Sequence, residues 1–271
     1  MNPEAGDLRK WIERARKSAP SVTIAWITAV YLGLSARLLF HIHQHAANML
    51  FLDQWDFYTP LFRGEDLWTL FRWQHGPHRM GIGLVLTKIV AELSRWDTRV
   101  ESLVIGGVMV LNALLALVLK KRITGRWEWW DGVVPLLFLS MGQASIFLIT
   151  PNLSYAAVPL LLLLLYGHCL TLRNPLQRYA CILVINFLSI YTGFGIFLGL
   201  ITPVIIGSAC MKWNTRSRRV FYLLVGFLFL SLLSLASFFV GWRLNPAVGC
   251  FQFPHPRPHE YFLYMTGVWQ I

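Results

Sequence analysis

Long apolar runs separated by short polar connections dominate the sequence. Most of the runs are about 18 to 25 residues long, the length that an α-helix needs to cross a bilayer. Such segments must be helical, because hydrocarbon offers the backbone no hydrogen-bonding partner. The pattern therefore predicts an all-α fold, a polytopic bundle of transmembrane helices with about seven spans and the start of an eighth.

The polar connections organise the chain as a single transmembrane domain. The predicted parts are a cytoplasmic N-terminus (1–19), a first span (20–40), a large extracytoplasmic loop (41–98), six further spans (99–242) and an extracytoplasmic tail (243–271). The tail ends in an apolar stretch, which predicts that the chain is truncated inside an eighth membrane segment; the alternative is a short interfacial C-terminus.

Three stretches refine this division. Residues 80–93 are apolar but carry Lys88 and Glu92, which favours an interfacial helix over a span. Residues 131–149 are predicted to form one span. Residues 176–211 are predicted to form two short spans, because the glycine-containing stretch 191–195 interrupts the apolar run.

Composition and charge support a membrane protein and exclude a nucleic-acid partner. The chain is 56% hydrophobic and 14% charged, and its formal net charge is +11. The positive residues concentrate in the N-terminal segment and in alternate connections, as the positive-inside rule predicts for cytoplasmic loops. We therefore predict a multi-pass protein of a bacterial-type inner membrane with a cytoplasmic N-terminus and the lipid bilayer as its partner. The basic residues are Arg9, Lys10, Arg14, Arg16, Lys17, Lys120, Lys121, Arg122, Arg126, Arg173, Arg178, Lys212, Arg216, Arg218 and Arg219.

Asp53 and Asp56 open the polar part of the 41–98 loop and would share one face of a helix. Two such carboxylates can bind a hard divalent cation, Mg²⁺ or Mn²⁺, or divide the roles of acid and base between them. The alternative is that both are solvated loop acids, with Asp53 as a helix N-cap.

His75, His78 and Arg79 surround a Gly-Pro turn in the same loop. Arginine binds phosphate through two parallel hydrogen bonds, and histidine can donate to phosphate or transfer a proton. These three residues are therefore candidates for substrate binding. The alternative is a turn whose polar residues lie among lipid headgroups.

The order of these features resembles the GT-C superfamily of membrane glycosyltransferases, typified by the families that transfer arabinose to lipid A and mannose to protein. The resemblance lies in an acidic loop opening after the first span, an aromatic helix (PheTyrThrProLeuPheArgGlyGluAspLeuTrp), a His/Pro turn and the TrpAspThrArgValGluSer sequence before the next span. Two features differ from that superfamily: the acids are spaced DxxD instead of adjacent, and the chain is about half the usual length or less.

The resemblance implies a polyprenyl-phosphate sugar as donor and transfer to a cell-envelope acceptor on the non-cytoplasmic face. It implies a catalytic or metal-binding role for Asp53 or Asp56, and contact of His75, His78 and Arg79 with the donor phosphate. Two other classes remain open: a transporter or flippase, and a non-catalytic, truncated membrane protein.

Overall fold

The computed structural model describes residues 3–50, 54–148, 152–193, 195–213, 217–243 and 259, with side chains described from Ser21 onward except at 144–145 and 213. Within these ranges the chain is almost entirely helical. The α-helices are α1 (Pro3–His45), α2 (Gln54–Phe62), α3 (Leu67–Arg72), α4 (Gly81–Ser94), α5 (Thr98–Thr124), α6 (Val133–Phe138), α7 (Ala144–Leu148), α8 (Val158–Leu170), α9 (Pro175–Ile190), α10 (Ile196–Trp213) and α11 (Arg218–Phe238). Short helical turns lie at Trp129–Gly132 and Met141–Gln143, a π-helix at Leu153–Ala157, and a two-stranded hairpin at β1 (Gln74–His75) and β2 (His78–Arg79).

Four of the described helical stretches are long and apolar enough to cross a membrane: Ser21–His45, Thr98–Thr124, Leu153–Leu170 and Arg218–Phe238. Two shorter apolar helices, Pro175–Ile190 and Ile196–Lys212, lie beside them. The prediction of an all-α membrane protein is confirmed at this level, while the count of seven spans stays a prediction.

Residues 54–97 form a platform over one end of the bundle. Thr98, at the start of α5, donates through its backbone N–H to the Asn48 side chain at 3.0 Å, which joins that end of α5 to the segment following α1. The hairpin contacts the end of α11, where the Trp242 indole donates to the carbonyl of Pro77 at 3.0 Å. We call this end of the bundle the platform end.

Basic residues lie at the opposite end. The helices run alternately between the two ends, so the last turns of α5, α8 and α10 and the first turns of α9 and α11 lie together, away from the platform. This basic end carries Lys120, Lys121, Arg122, Arg126, Arg173, Arg178, Lys212, Arg218 and Arg219. Several of its cations have defined partners: Lys120 forms an ion pair with the buried carboxylate of Asp131 at 2.8 Å, and Arg126 pairs with Glu128 at 2.9 Å. The separation of charge is the one that the positive-inside pattern predicts.

The predicted single span at 131–149 is wrong as a continuous helix. α6 ends at Phe138, a turn follows at Met141–Gln143, and α7 begins at Ala144. The break has a local cause, since the Ser140 hydroxyl accepts a hydrogen bond from the Gly142 backbone N–H and so competes with helix formation. Gly142, in the turn that follows, further disfavours a continuous helix because glycine has a low helix propensity.

Other local predictions are confirmed. α4 matches the helix expected at 80–93, and α9 and α10 are separate helices divided at 191–195. Their junction packs tightly on the platform: at Gly81 (φ +50°), a Cβ would lie 1.9 Å from the carbonyl oxygen of Tyr191. Only glycine fits there, in conformation and in space. The tail beyond 243, except residue 259, lies outside the described residues, and with it the predicted eighth segment.

A buried carboxylate joins the platform to the bundle. Glu101, in the first turn of α5, accepts hydrogen bonds from the Tyr58 hydroxyl of α2 and, at 2.8 Å, from the Thr87 hydroxyl of α4. All three side chains are buried. One carboxylate therefore connects three helices, because each of its oxygens accepts from a buried hydroxyl of a different helix.

We expect Glu101→Ala to lower the free energy of unfolding by about 2 kcal/mol or more, since it removes the buried acceptor of two hydrogen bonds, from the hydroxyls of Tyr58 and Thr87. Denaturant unfolding of the purified protein in detergent measures the change. The matched control is Glu92→Ala, which removes a carboxylate from an exposed pair with Lys88 and should cost about 0.5 kcal/mol or less. Equal losses in the two variants would show that the Glu101 network does not stabilise the platform.

Candidate functional site

The hairpin of the platform presents two imidazoles side by side. His75 of β1 and His78 of β2 are paired across the antiparallel ladder, with Gly76 and Pro77 between them. Gly76 has φ +57°, the left-handed conformation that a tight turn of this kind requires. Both imidazoles are half-buried. The sequence prediction that these two histidines lie together is confirmed.

Tyr155 holds this histidine pair from the bundle side. Its hydroxyl lies 2.7 Å from Nδ1 of His75, and its ring meets the His78 ring edge-on at 5.7 Å between centroids. Tyr155 belongs to the π-helix Leu153–Ala157, an element that occurs frequently at functional sites.

Tyr155 also defines which nitrogen of His75 remains available. When its hydroxyl donates to Nδ1, the imidazole proton of neutral His75 lies on Nε2. That nitrogen is then a hydrogen-bond donor toward a ligand. The pair Tyr155–His75 therefore has the arrangement of an oriented imidazole, in which a second group holds the ring in place.

Burial changes the acid–base behaviour of His78. Desolvation is the largest cause that lowers the pKa of His78 below the ordinary value, and the neighbouring His75 adds to it. A hydrogen bond with the backbone of Gly193 acts in the opposite direction. The lowered pKa favours a neutral His78 near pH 7.

Arg79 follows the histidines in sequence but points to a different part of the platform. Its side chain is buried, and its guanidinium donates to three backbone carbonyls: Arg72 at 2.5 Å, Val240 at 2.6 Å, and Phe238 at 2.8 Å from Nη2 and 3.2 Å from Nε. These bonds tie the hairpin to the C-terminal end of α11. Contact between Arg79 and a phosphate stays a prediction, and it would require the guanidinium to give up some of these carbonyls.

Gln74 strengthens the same connection. Its side-chain oxygen accepts from the Arg243 backbone N–H at 3.0 Å, and its side-chain nitrogen donates to the Arg243 carbonyl at 2.6 Å. The amide thus pairs with a backbone unit in the way that a neighbouring strand would. The hairpin that carries the histidines is therefore anchored on both sides, by Tyr155 and by the residues that follow α11.

Only one of the two predicted acids, Asp56, lies among the residues that the structure describes. Asp56 is exposed on α2, whereas Asp53 lies outside the described residues. Within the described chain, no group of three or more His, Cys, Asp or Glu side chains is placed to hold a metal ion. Asp56 with its described neighbours does not make a ligand set for Mg²⁺ or Mn²⁺, which prefer several oxygen ligands. The divalent cation therefore stays a prediction that depends on Asp53.

The sequence pattern did not single out Tyr155 as part of the site or Glu101 as its support. Tyr155 is far from the histidines along the chain, and its position after Asn152 suggested a turn or cap. A usable signal did exist for Glu101, since it is an acid placed at the start of a long apolar run, where a charge is costly.

The fold and the polar platform define a helical membrane protein with a cluster of imidazole and phenol groups at one end of its helices. No protein-family model, curated protein or solved structure matches this chain.

The lowered pKa of His78 predicts a pH dependence. An imidazole with a lower pKa in the folded protein is protonated first in the unfolded chain, so the folded state loses stability as the pH falls below about 6.5. We expect the unfolding temperature in detergent to fall between about pH 7.5 and about pH 5, and to fall less in His78→Phe, which keeps a ring against Tyr155. In His43→Phe, at an exposed position of α1, the unfolding temperature should fall with pH as much as it does in the unmodified protein. An unchanged pH response in His78→Phe would contradict this role of His78.

Proposed function

We propose that this protein is a GT-C-like glycosyltransferase that moves a sugar from a polyprenyl-phosphate donor to a cell-envelope acceptor at the platform end of the bundle. The observation that supports this proposal most is the His75–Tyr155–His78 cluster, which is held at the end of apolar helices. A lipid-linked phosphate would lie at this depth, and oriented imidazoles are suitable donors to its oxygens.

The proposed chemistry assigns separate roles to the acids and the histidines. A carboxylate of Asp56 or Asp53 takes the proton of an acceptor hydroxyl, whose oxygen then forms a bond to the anomeric carbon of the sugar. The bond between that carbon and the phosphate oxygen breaks, and polyprenyl phosphate leaves. His75 donates a hydrogen bond to the phosphate oxygens as their charge increases, which stabilises the transition state. His78 adds a second donor when the negative charge of the nearby phosphate raises its pKa and the ring takes up a proton.

Other residues of the platform hold the two histidines in place. The Tyr155 hydroxyl orients His75, while Arg79 and Gln74 hold the hairpin against the end of α11. α2, which carries Asp56, shares a hydrophobic cluster with Tyr155 through Phe57 and Tyr58. The proposed acid and the proposed phosphate donors are thus parts of one packed unit.

A transporter or flippase is less well supported. Such proteins generally place ionisable residues inside the bundle, where they mark the path of the substrate. In the described part of this chain, the buried charged side chains are those of Arg79, Glu101 and Asp131, which lie in the platform or near helix ends.

The test is the transfer of labelled sugar from a polyprenyl-phosphate sugar by membranes that contain the protein. We expect Asp56→Asn or Asp53→Asn to reduce the rate about 100-fold or more, the usual contribution of a general base. His75→Gln should reduce it about tenfold or more, and Tyr155→Phe by less, because it removes only the group that orients His75.

Glu65→Gln is the control, since it removes an acidic charge from the same platform at a position with no proposed role. Glu65→Gln should transfer sugar at the same rate as the unmodified protein. Unchanged transfer in both aspartate variants, with equal amounts of folded protein, would overturn the proposed function.

A further inference from the structure

A groove of about 610 Å³ lies in the membrane-spanning part of the protein, away from the histidine cluster. One wall is the stripe of α1 from Trp26 to Arg37, and the other is the segment 129–136 at the start of the interrupted crossing. Apart from Arg37, the residues that line it are aliphatic, aromatic or glycine. The groove is therefore suited to a hydrocarbon chain.

Small residues create this space, and a tryptophan closes one end of it. At Gly33 on the α1 wall, nothing lies within 4 Å of the position that a Cβ would occupy. At Gly132 on the opposite wall, Nε1 of Trp26 lies 3.0 Å from the corresponding position. From Trp26 to Arg37 the stripe is about 16 Å long, which is close to half of the roughly 30 Å hydrocarbon thickness of a bilayer.

Among the described residues that line the groove, Arg37 carries the only charge. It is exposed, and it forms no hydrogen bond or ion pair with any other part of the chain that the structure describes. It lies in the stretch Ser21–His45, which is long and apolar enough to span a membrane. A guanidinium there is costly unless it reaches the interface and meets an anion, and phosphate matches its paired donors.

We propose that this groove binds one glycerophospholipid of the bilayer, with its phosphate on Arg37 and one acyl chain along α1 toward Trp26. The single cation matches a phosphodiester, and the length of the groove matches one leaflet. A polyprenyl chain is much longer than the groove. A protein segment would need hydrogen-bonding groups around the rim, and the lining supplies these only at Arg37 and the tryptophans. This proposal is independent of the glycosyltransferase assignment.

The probe is palmitoyl-oleoyl phosphatidylglycerol, added to delipidated full-length protein in a mild detergent. Native mass spectrometry measures the fraction of protein that carries one lipid. We expect Arg37→Gln to weaken binding about tenfold or more, the loss expected for one charge-assisted interaction. Gly33→Leu should weaken binding at least as much, because its side chain enters open space in the groove without displacing protein atoms.

Two control variants test whether the loss of lipid binding is specific to the groove. Gly226→Leu introduces the same side chain at an exposed glycine of α11, also with open space around its Cβ position. Arg63→Gln removes a positive charge from an exposed position of the platform. Both should bind lipid as the unmodified protein does. Because Arg37→Gln removes no hydrogen bond or ion pair between described residues, it remains informative if Gly33→Leu folds poorly.

Two results would overturn the proposal. The first is equal lipid binding by the unmodified protein, Arg37→Gln and Gly33→Leu. The second is a lipid co-purified from native membranes that has the mass of a polyprenyl phosphate and is lost in Arg37→Gln. A co-purified glycerophospholipid that is lost in both groove variants and retained in both controls supports it.

Discussion

The cost of placing polar groups in hydrocarbon determines where each part of this protein lies. Backbone groups are satisfied inside helices, so the apolar runs become helices whose ends carry the polar residues. Nine lysine and arginine side chains lie at the basic end, while the hairpin, its two histidines and six of the acids that the structure describes lie at the platform end: Asp56, Glu65, Asp66, Glu92, Asp97 and Glu101. Two buried charged groups of the platform have partners: Glu101 accepts from two hydroxyls, and Arg79 donates to three carbonyls.

These buried hydrogen bonds also make the platform a fixed part of the bundle. The Arg79 guanidinium and the Gln74 amide attach the hairpin to the end of α11, and Glu101 attaches α2 and α4 to α5. The histidines are consequently presented by a packed unit with contacts to several helices. Such support is what a binding site for a phosphate at the membrane surface needs, since the geometry of its donors must be held in place.

Much of the fold could be predicted from hydrophobic pattern and charge, because both report directly on the membrane. The helix at 81–94 and the division between α9 and α10 were readable from composition and from the bend at 191–195. The interruption of 131–149 was not, since it depends on one serine hydroxyl competing for a backbone N–H. The pairing of His75 with His78 followed from their turn. The role of Tyr155 did not, because it depends on a π-helix distant in the sequence.

The central claim is that the platform and the basic end lie on opposite sides of a membrane, with the platform on the non-cytoplasmic side. The most direct measurement uses single-cysteine variants, Glu65→Cys and Arg126→Cys, in a chain whose four native cysteines are replaced by serine. Intact cells are treated with a membrane-impermeant maleimide. We predict that Glu65→Cys reacts in intact cells and that Arg126→Cys reacts only after the membrane is opened. Reaction of both variants from the same side, or of Arg126→Cys alone in intact cells, would contradict the account.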